Sequence, residues 1–205
     1  MSTATRRVSR RAEYAEATRQ AILEAARSLF TEQGYFATKV EQIAGLARVA
    51  PATVYAVGGG KNGLLRTLIE SAVTSQENAR LIADIEAATD PGRLIGLIIT
   101  TSRAKFELWS PLMRQVVAAA PQEPAVQESL EIAHRSLLRG LRTAADRLAA
   151  MGALGNGMDA AQATDILWLH LCNAAYFIRT DDLGWSLDKS EAWLGAVLPQ
   201  QILGR

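Results

Sequence analysis

The 205-residue chain carries 22 basic and 21 acidic side chains, a net charge of +1, with 49% apolar and 21% charged residues. That is enough apolar surface for a packed core, so disorder as the main state is excluded, and the length suits one compact domain or two small ones. The densest apolar stretches, residues 94–99 and 166–171, fall well short of the ~20 residues a membrane-spanning helix needs. The lone cysteine, Cys172, excludes an internal disulfide and a cysteine zinc cluster. The basic N-terminus lacks an apolar signal core, so a cytoplasmic location is expected.

The even balance of charge hides an asymmetry. Residues 1–66 hold ten basic and five acidic side chains, the rest of the chain twelve and sixteen. A basic first third on a mildly acidic body points to a polyanion bound at one end, although the run of arginines at positions 6, 7, 10 and 11 also reads as a solvated tail.

Helical periodicity dominates and no alternating β-branched run appears, so the fold class is all-α. Ile22, Leu23, Ala26, Leu29 and Phe30 share one helical stripe, which Gly34 terminates. Thr38 followed by Glu41 reads as a capping box opening a second, short helix with Val40, Ile43, Ala44 and Ala47 inside. Pro51 fits the first turn of a third helix, and the glycines at 58–60 end it. From Leu64 one longer helix is expected to run to about Ala88. Asp90-Pro91, Ser110-Pro111 and the two prolines at 121 and 124 mark breaks. A long helix over about 124–151 presents Leu130, Ala133, Leu137, Leu138, Leu141, Ala145 and Leu148 inward. A glycine-rich loop at 151–158 precedes two closing helices near 159–180 and 188–203, with Pro199 kinking or shortening the last.

The frame over residues 38–57, two short helices joined by a tight turn, is that of a helix-turn-helix, whose second helix enters the major groove. Its setting is specific. The helix of residues 21–30, Gly34-Tyr35, Thr38, Ile43-Ala44, Ala47, Val49, Thr53-Val54-Tyr55, and Lys61 before Leu64-Leu65 resemble, in register over about 45 residues, the DNA-binding region of the TetR (tetracycline-repressor) family. The resemblance implies an all-helical homodimer. Its N-terminal three-helix DNA-binding domain would span residues 1–62, and a helical effector-binding and dimerisation domain residues 63–205. Three positions depart from the family pattern. Arg48 stands where the turn usually has glycine, Ala50 replaces the usual Ser/Thr cap and forfeits about 1 kcal/mol, and Gly58 replaces an aromatic.

Candidate DNA contacts follow. On the recognition helix, Pro51, Ala52 and Thr53 face base edges, with Ala52 and the Thr53 methyl suited to thymine methyls, and Tyr55 offers its hydroxyl to a phosphate. Thr38 and Lys39 can grip the groove wall, though a capping role already explains Thr38. Lys61 opens the fourth helix, where free N–H groups favour a phosphate. Arg48 could reach a phosphate or a guanine edge, or be solvated. Arg10 and Arg11, with the arginines at 6 and 7, suit a flanking minor groove. The Gly58–Asn62 stretch is no phosphate-binding loop, because it lacks the Walker spacing, the Ser/Thr and the preceding strand.

The stretch near 159–180 is apolar almost all round, so both sides must be covered. Ile166, Leu167, Leu171, Ala174 and Phe177 form one face, and Trp168, Leu169, Cys172, Ala175 and Tyr176 the other. Leu169 and Cys172 with Trp193 and Val197 of the last helix are expected at an isologous dimer interface, which predicts a pseudo-palindromic operator. Phe106, Trp109, Met113, His134, Trp168, Asn173 and Tyr176, with His170, are candidates for a largely apolar effector pocket, although for each one packing in the core is the stronger reading. Two histidines and one cysteine give no nucleophile–base constellation. No catalytic residue, metal or cofactor is expected. The sequence thus reads as a TetR-like transcriptional regulator, a repressor released from DNA by a small effector, with the helix starting at Leu64 as lever. The alternatives are a sequence-nonspecific DNA-binding protein and a helical ligand-binding protein that has lost its DNA role.

Overall fold

A computed structural model describes residues 10–155 and 157–204, and every regular element among them is helical apart from one isolated bridge between Leu154 and Leu203. The expected contacts of the arginines at 6 and 7 lie outside the described residues. The described chain forms two compact units. One runs to Ile69 and includes Gln115–Ser129; the other comprises Glu70–Arg114 and Leu130 onward. The sequence reading draws its boundary at 62/63 and does not assign 115–129 to the N-terminal part.

In the first unit, α1 (Arg10–Gln33) buries Ile22, Leu23, Ala25, Ala26 and Phe30. It stops at Gly34, whose φ of +86° only glycine adopts without strain. Then come α2 (Val40–Ala47), α3 (Pro51–Gly58) and α4 (Lys61–Val73), of which the residues up to Ile69 belong to this unit. Ile22, Phe30, Ile43, Val54 and Leu64 are all fully buried and form the unit's core. The cap of α2 is not Thr38. That hydroxyl donates back to the Gly34 carbonyl at 2.8 Å, and the N-cap falls on Lys39, whose backbone N–H donates to the Gln42 side chain at 2.8 Å. The Thr38–Glu41 capping box is therefore replaced by Gln42 at the third helical position.

The expected helix from Leu64 to Ala88 is two helices, α4 and α5 (Gln76–Ala87). Ser75 caps α5 by accepting from the Asn78 backbone N–H at 3.2 Å. The Asn78 side chain donates to the carbonyls of Ala72 and Val73, at 3.0 and 2.9 Å. One serine and one asparagine thereby satisfy both broken ends, which makes the interruption inexpensive.

The break expected at Pro111 is absent: α6 (Pro91–Ala119) continues through it. Pro111 is exposed while Phe106, Ser110, Leu112 and Met113 beside it are buried, so burial on the inner face offsets the lost backbone hydrogen bond. α7 (Pro124–Ala150) matches its expected span, but Leu138 is 43% exposed rather than inward.

The helix expected over 159–180 is divided. α8 (Ala160–Leu171) is opened by Asp159, which accepts from the Gln162 backbone at 2.8 Å while Gln162 accepts from the Asp159 backbone at 3.0 Å. Cys172 is extended, with ψ 159°. The short α9 (Asn173–Phe177) and a π turn (Ile178–Asp182) follow. After the break Tyr176 is 1% exposed, whereas Ala174 is exposed rather than covered as the all-round apolar pattern predicts. α10 (Leu187–Ile202), capped by Ser186, runs three residues past Pro199. The second unit's core gathers Leu94, Ile95, Leu141, Leu148, Leu167, Leu194 and Leu198 from α6, α7, α8 and α10.

Candidate nucleic-acid interface

The turn between α2 and α3 is held by Arg48. Its φ of +57° makes it the left-handed non-glycine residue among those described, and two backbone N–H groups close the end of α2: its own donates to the Gly45 carbonyl at 3.2 Å and that of Val49 to the Ala44 carbonyl at 2.9 Å. For any residue but glycine this conformation costs about 1 kcal/mol. The Arg48 side chain is exposed, and no described residue offers it a hydrogen bond or ion pair in return. The recognition helix α3 then starts at Ala50 without a side-chain cap, with Pro51 in its first turn.

α3 buries Val54 and exposes Pro51, Ala52, Tyr55 and Ala56, with Thr53 half-buried. Tyr55 is 56% exposed. Its ring covers Gly60, where an added Cβ would lie 3.1 Å from the ring edge. Phe36, Thr38, Lys39, Tyr55, Gly60 and Lys61 line an open concavity beside the recognition helix. Arg10 and Arg11 are exposed in the first turn of α1, and Lys39 is exposed at the start of α2.

Two of the expected contacts are already engaged inside the protein. Thr38 is 1% exposed and its hydroxyl is held by Gly34. The Lys61 ammonium donates to the carbonyls of Tyr35 and Thr38, at 3.0 and 3.4 Å, and sits 4.3 Å above the Tyr35 ring. With three donors on an ammonium, one N–H of Lys61 remains for an outside acceptor. The Tyr35 hydroxyl donates to the Asn62 side chain, and burial, with a smaller push from Glu123, raises its pKa to about 12. Lys61, Tyr35 and Asn62 thus tie the start of α4 to the α1–α2 connection. The signal for Tyr35 and Asn62 was a buried aromatic facing a polar residue, which sequence spacing does not reveal.

The expected effector residues fall into separate groups in the second unit. Phe106 stacks on Tyr176 at 4.5 Å, and His134 meets Trp168 edge-on at 5.3 Å. Desolvation lowers the His134 pKa, opposed by Glu131. Met113 is buried in α6, while Trp109 and Asn173 are half-buried. His170 bonds Gln201 at 2.9 Å and meets Trp193 edge-on at 5.5 Å. Of the expected interface residues, Leu169 is 69% exposed, and Cys172, Trp193 and Val197 are half-buried. A surface groove in this unit is lined instead by Arg135, Leu138, Arg139, Arg142, Thr164 and Asp165. Among the described residues no His, Cys, Asp or Glu cluster could hold a metal, and no helix is long and apolar enough to cross a membrane.

Residues 22–68 match the family model described as bacterial regulatory proteins, tetR family. Among the solved structures that resemble the chain, three cover about nine-tenths of it. A SmeT–triclosan complex aligns with a TM-score of 0.74 and 19% identity over 91% of this chain and 92% of that one. NalD, the secondary repressor of the MexAB-OprM multidrug efflux pump in Pseudomonas aeruginosa, aligns at 0.71 and 22% over 93% and 98%. The transcriptional regulator FadR from Bacillus subtilis, in complex with stearoyl-CoA, aligns at 0.70 and 19% over 89% and 98%. At these identities the likeness is one of fold. No curated protein matches the sequence.

Proposed function

We propose that this chain, whose residues 22–68 match the model of bacterial regulatory proteins of the tetR family, is a cytoplasmic, non-enzymatic repressor that binds a pseudo-palindromic operator as a homodimer and leaves it when a small effector binds. Residues 1–62 contact DNA; residues 63–205 bind the effector and dimerise. The supporting observation is the exposed row of Lys39, Arg48, Ala52 and Tyr55 across the helix-turn-helix.

In this reading Pro51, Ala52 and the Thr53 methyl pack on thymine methyls. Tyr55, Lys39 and the free N–H of Lys61 hold phosphates, and Thr38 positions the α2 start through Gly34. Arg10 and Arg11 lie toward the flanking minor groove. Since α3 exposes no amide, carboxylate or basic side chain, hydrogen-bonded base readout falls to Arg48, whose fork matches guanine O6 and N7. Leu169, Cys172, Trp193 and Val197 form the dimer contact. The effector favours the protein form that holds the two recognition helices at the wrong spacing for DNA and so lowers operator affinity.

Selection of bound duplexes from a random library at physiological salt tests this directly, because nonspecific binding is suppressed there. An enriched inverted repeat is the expected result. Salt-sensitive binding with no enriched site would replace it with nonspecific DNA binding, and no DNA binding would leave a ligand-binding protein.

A further inference from the structure

The second unit contains two buried polar groups whose needs its own residues do not meet. Arg179, on the π turn, is 5% exposed. Its guanidinium donates to the Ser190 hydroxyl at 2.7 Å and the His170 carbonyl at 2.9 Å, and lies 4.4 Å above the Tyr176 ring. Both acceptors are neutral, and no described carboxylate pairs with this cation. Tyr176 is 1% exposed, and its hydroxyl has only the Arg179 guanidinium beside it, a donor, so its own proton finds no acceptor. A buried cation without a counter-ion and a buried hydroxyl without an acceptor are each destabilising, and here they adjoin.

The surroundings suit an amphipathic guest. Phe106 stacks on Tyr176 at 4.5 Å and meets Phe177 at 5.4 Å, an aromatic wall from α6 and α9. Nearby, Arg103 and Glu191 form a partly exposed ion pair, each with 28% of its side chain accessible. Its charges act on the Tyr176 hydroxyl, which burial keeps protonated up to about pH 12. Arg179 is carried on the π turn, and Tyr176 on the one short helix between the extended Cys172 and that turn; π turns frequently occur at functional sites.

We propose that Arg179 and Tyr176 form the head-group site for a carboxylate whose apolar body lies along Phe106 and Phe177. A carboxylate can accept two N–H bonds from a guanidinium and one O–H bond from a phenol, which would satisfy both groups at once. This rests on the reading that residues 63–205 bind the effector, and it names that effector's class: an organic acid with an aliphatic or aromatic tail.

Matched probes separate charge from apolar burial: octanoate against octan-1-ol, and 4-phenylbutyrate against 4-phenylbutan-1-ol, titrated calorimetrically into the full chain. At least one acid is expected to bind about tenfold or more tighter than its alcohol. Tyr176→Phe is expected to raise the melting temperature of the free protein by about 2–4 °C, because the unmet hydroxyl is gone, and to weaken acid binding about tenfold without affecting the alcohol. Arg179→Gln should bring the acid down to the alcohol's affinity. Higher stability with weaker binding at Tyr176 is a signature that a purely structural tyrosine would not give. Equal binding of acid and alcohol, no binding of either acid, or unchanged acid affinity in Tyr176→Phe overturns the proposal. Operator selection without ligand is read separately. An enriched operator with no acid binding removes this site and keeps the regulator, whereas acid binding with no DNA binding does the reverse.

Discussion

The carbonyl oxygen of Gly58 stands 1.8 Å from the point where a Cβ on Gly63 would be built. The end of α3 and the first turn of α4 therefore touch backbone to backbone, and the Leu64 side chain fills the space where a Cβ on Gly58 would sit. Gly58, a departure from the family pattern, is explained by this contact, since a larger residue there collides with Leu64.

Gly63→Ala should consequently force the recognition helix away from α4. The expected outcome is a lower melting temperature and at least a tenfold loss of operator affinity, measured by thermal melting and electrophoretic mobility shift. Gly45→Ala, on α2 with open space around its Cβ position, is the matched control. It should leave folding intact and add a few tenths of a kcal/mol to about 1 kcal/mol of helix stability.

Arg48→Gly separates conformation from readout. Glycine adopts a φ of +57° freely, so the variant should gain about 1 kcal/mol, a rise of about 2–4 °C in melting temperature. The enriched operator should lose its preference at one base pair in each half-site, worth about 1–3 kcal/mol of discrimination. A variant that keeps the same base preferences would confine Arg48 to phosphate or solvent.

Lys61 and Lys39 carry the same charge but different duties. Lys39→Gln should reduce the slope of log affinity against log salt by about 0.9, the value for one phosphate contact. Lys61→Gln removes hydrogen bonds to the Tyr35 and Thr38 carbonyls, so its main effect should be on stability, with a smaller change in salt slope. Urea unfolding and salt-titrated DNA binding distinguish the two.

Tyr35 and Tyr176 both hold their protons to about pH 12 in the folded protein, mainly through burial. In the unfolded chain a tyrosine ionises near pH 10. Between those values the unfolded state binds fewer protons, so stability is full below about pH 10 and declines as pH rises toward 12. Urea midpoints at pH 9 and 11 should show this loss, and Tyr35→Phe or Tyr176→Phe should each reduce it.

What could be read from sequence was local. Gly34, Pro51 and the glycines after Val57 mark their boundaries by residues that tolerate few other conformations, so the helix-turn-helix could be placed in register. The division of 64–88 was harder, because its apolar period continues across a break made by two side chains, Ser75 and Asn78. Pro111 misled in the other direction, since a proline on the exposed side of a well-buried helix is tolerable. Nothing in the run around Cys172 marks an extended residue, and beyond that break Ala174 is left exposed although its neighbours are apolar. Arg179 was beyond reach for a different reason. Its burial is set by Ser190 and His170, partners eleven and nine residues distant that meet it only in the folded unit.

The interruption at Ser75 also sets the reach of any movement carried by α4. Thirteen residues make a rod of about 20 Å, where an unbroken helix through Ala87 would measure about 40 Å. A tilt of about 5° displaces the tip of the short rod by ~1.7 Å and that of the long one by ~3.5 Å, from the rise per residue alone. A regulator working through α4 must therefore generate a larger angle at the effector end to shift its recognition helix by a given distance. The gearing favours fine adjustment over long throw.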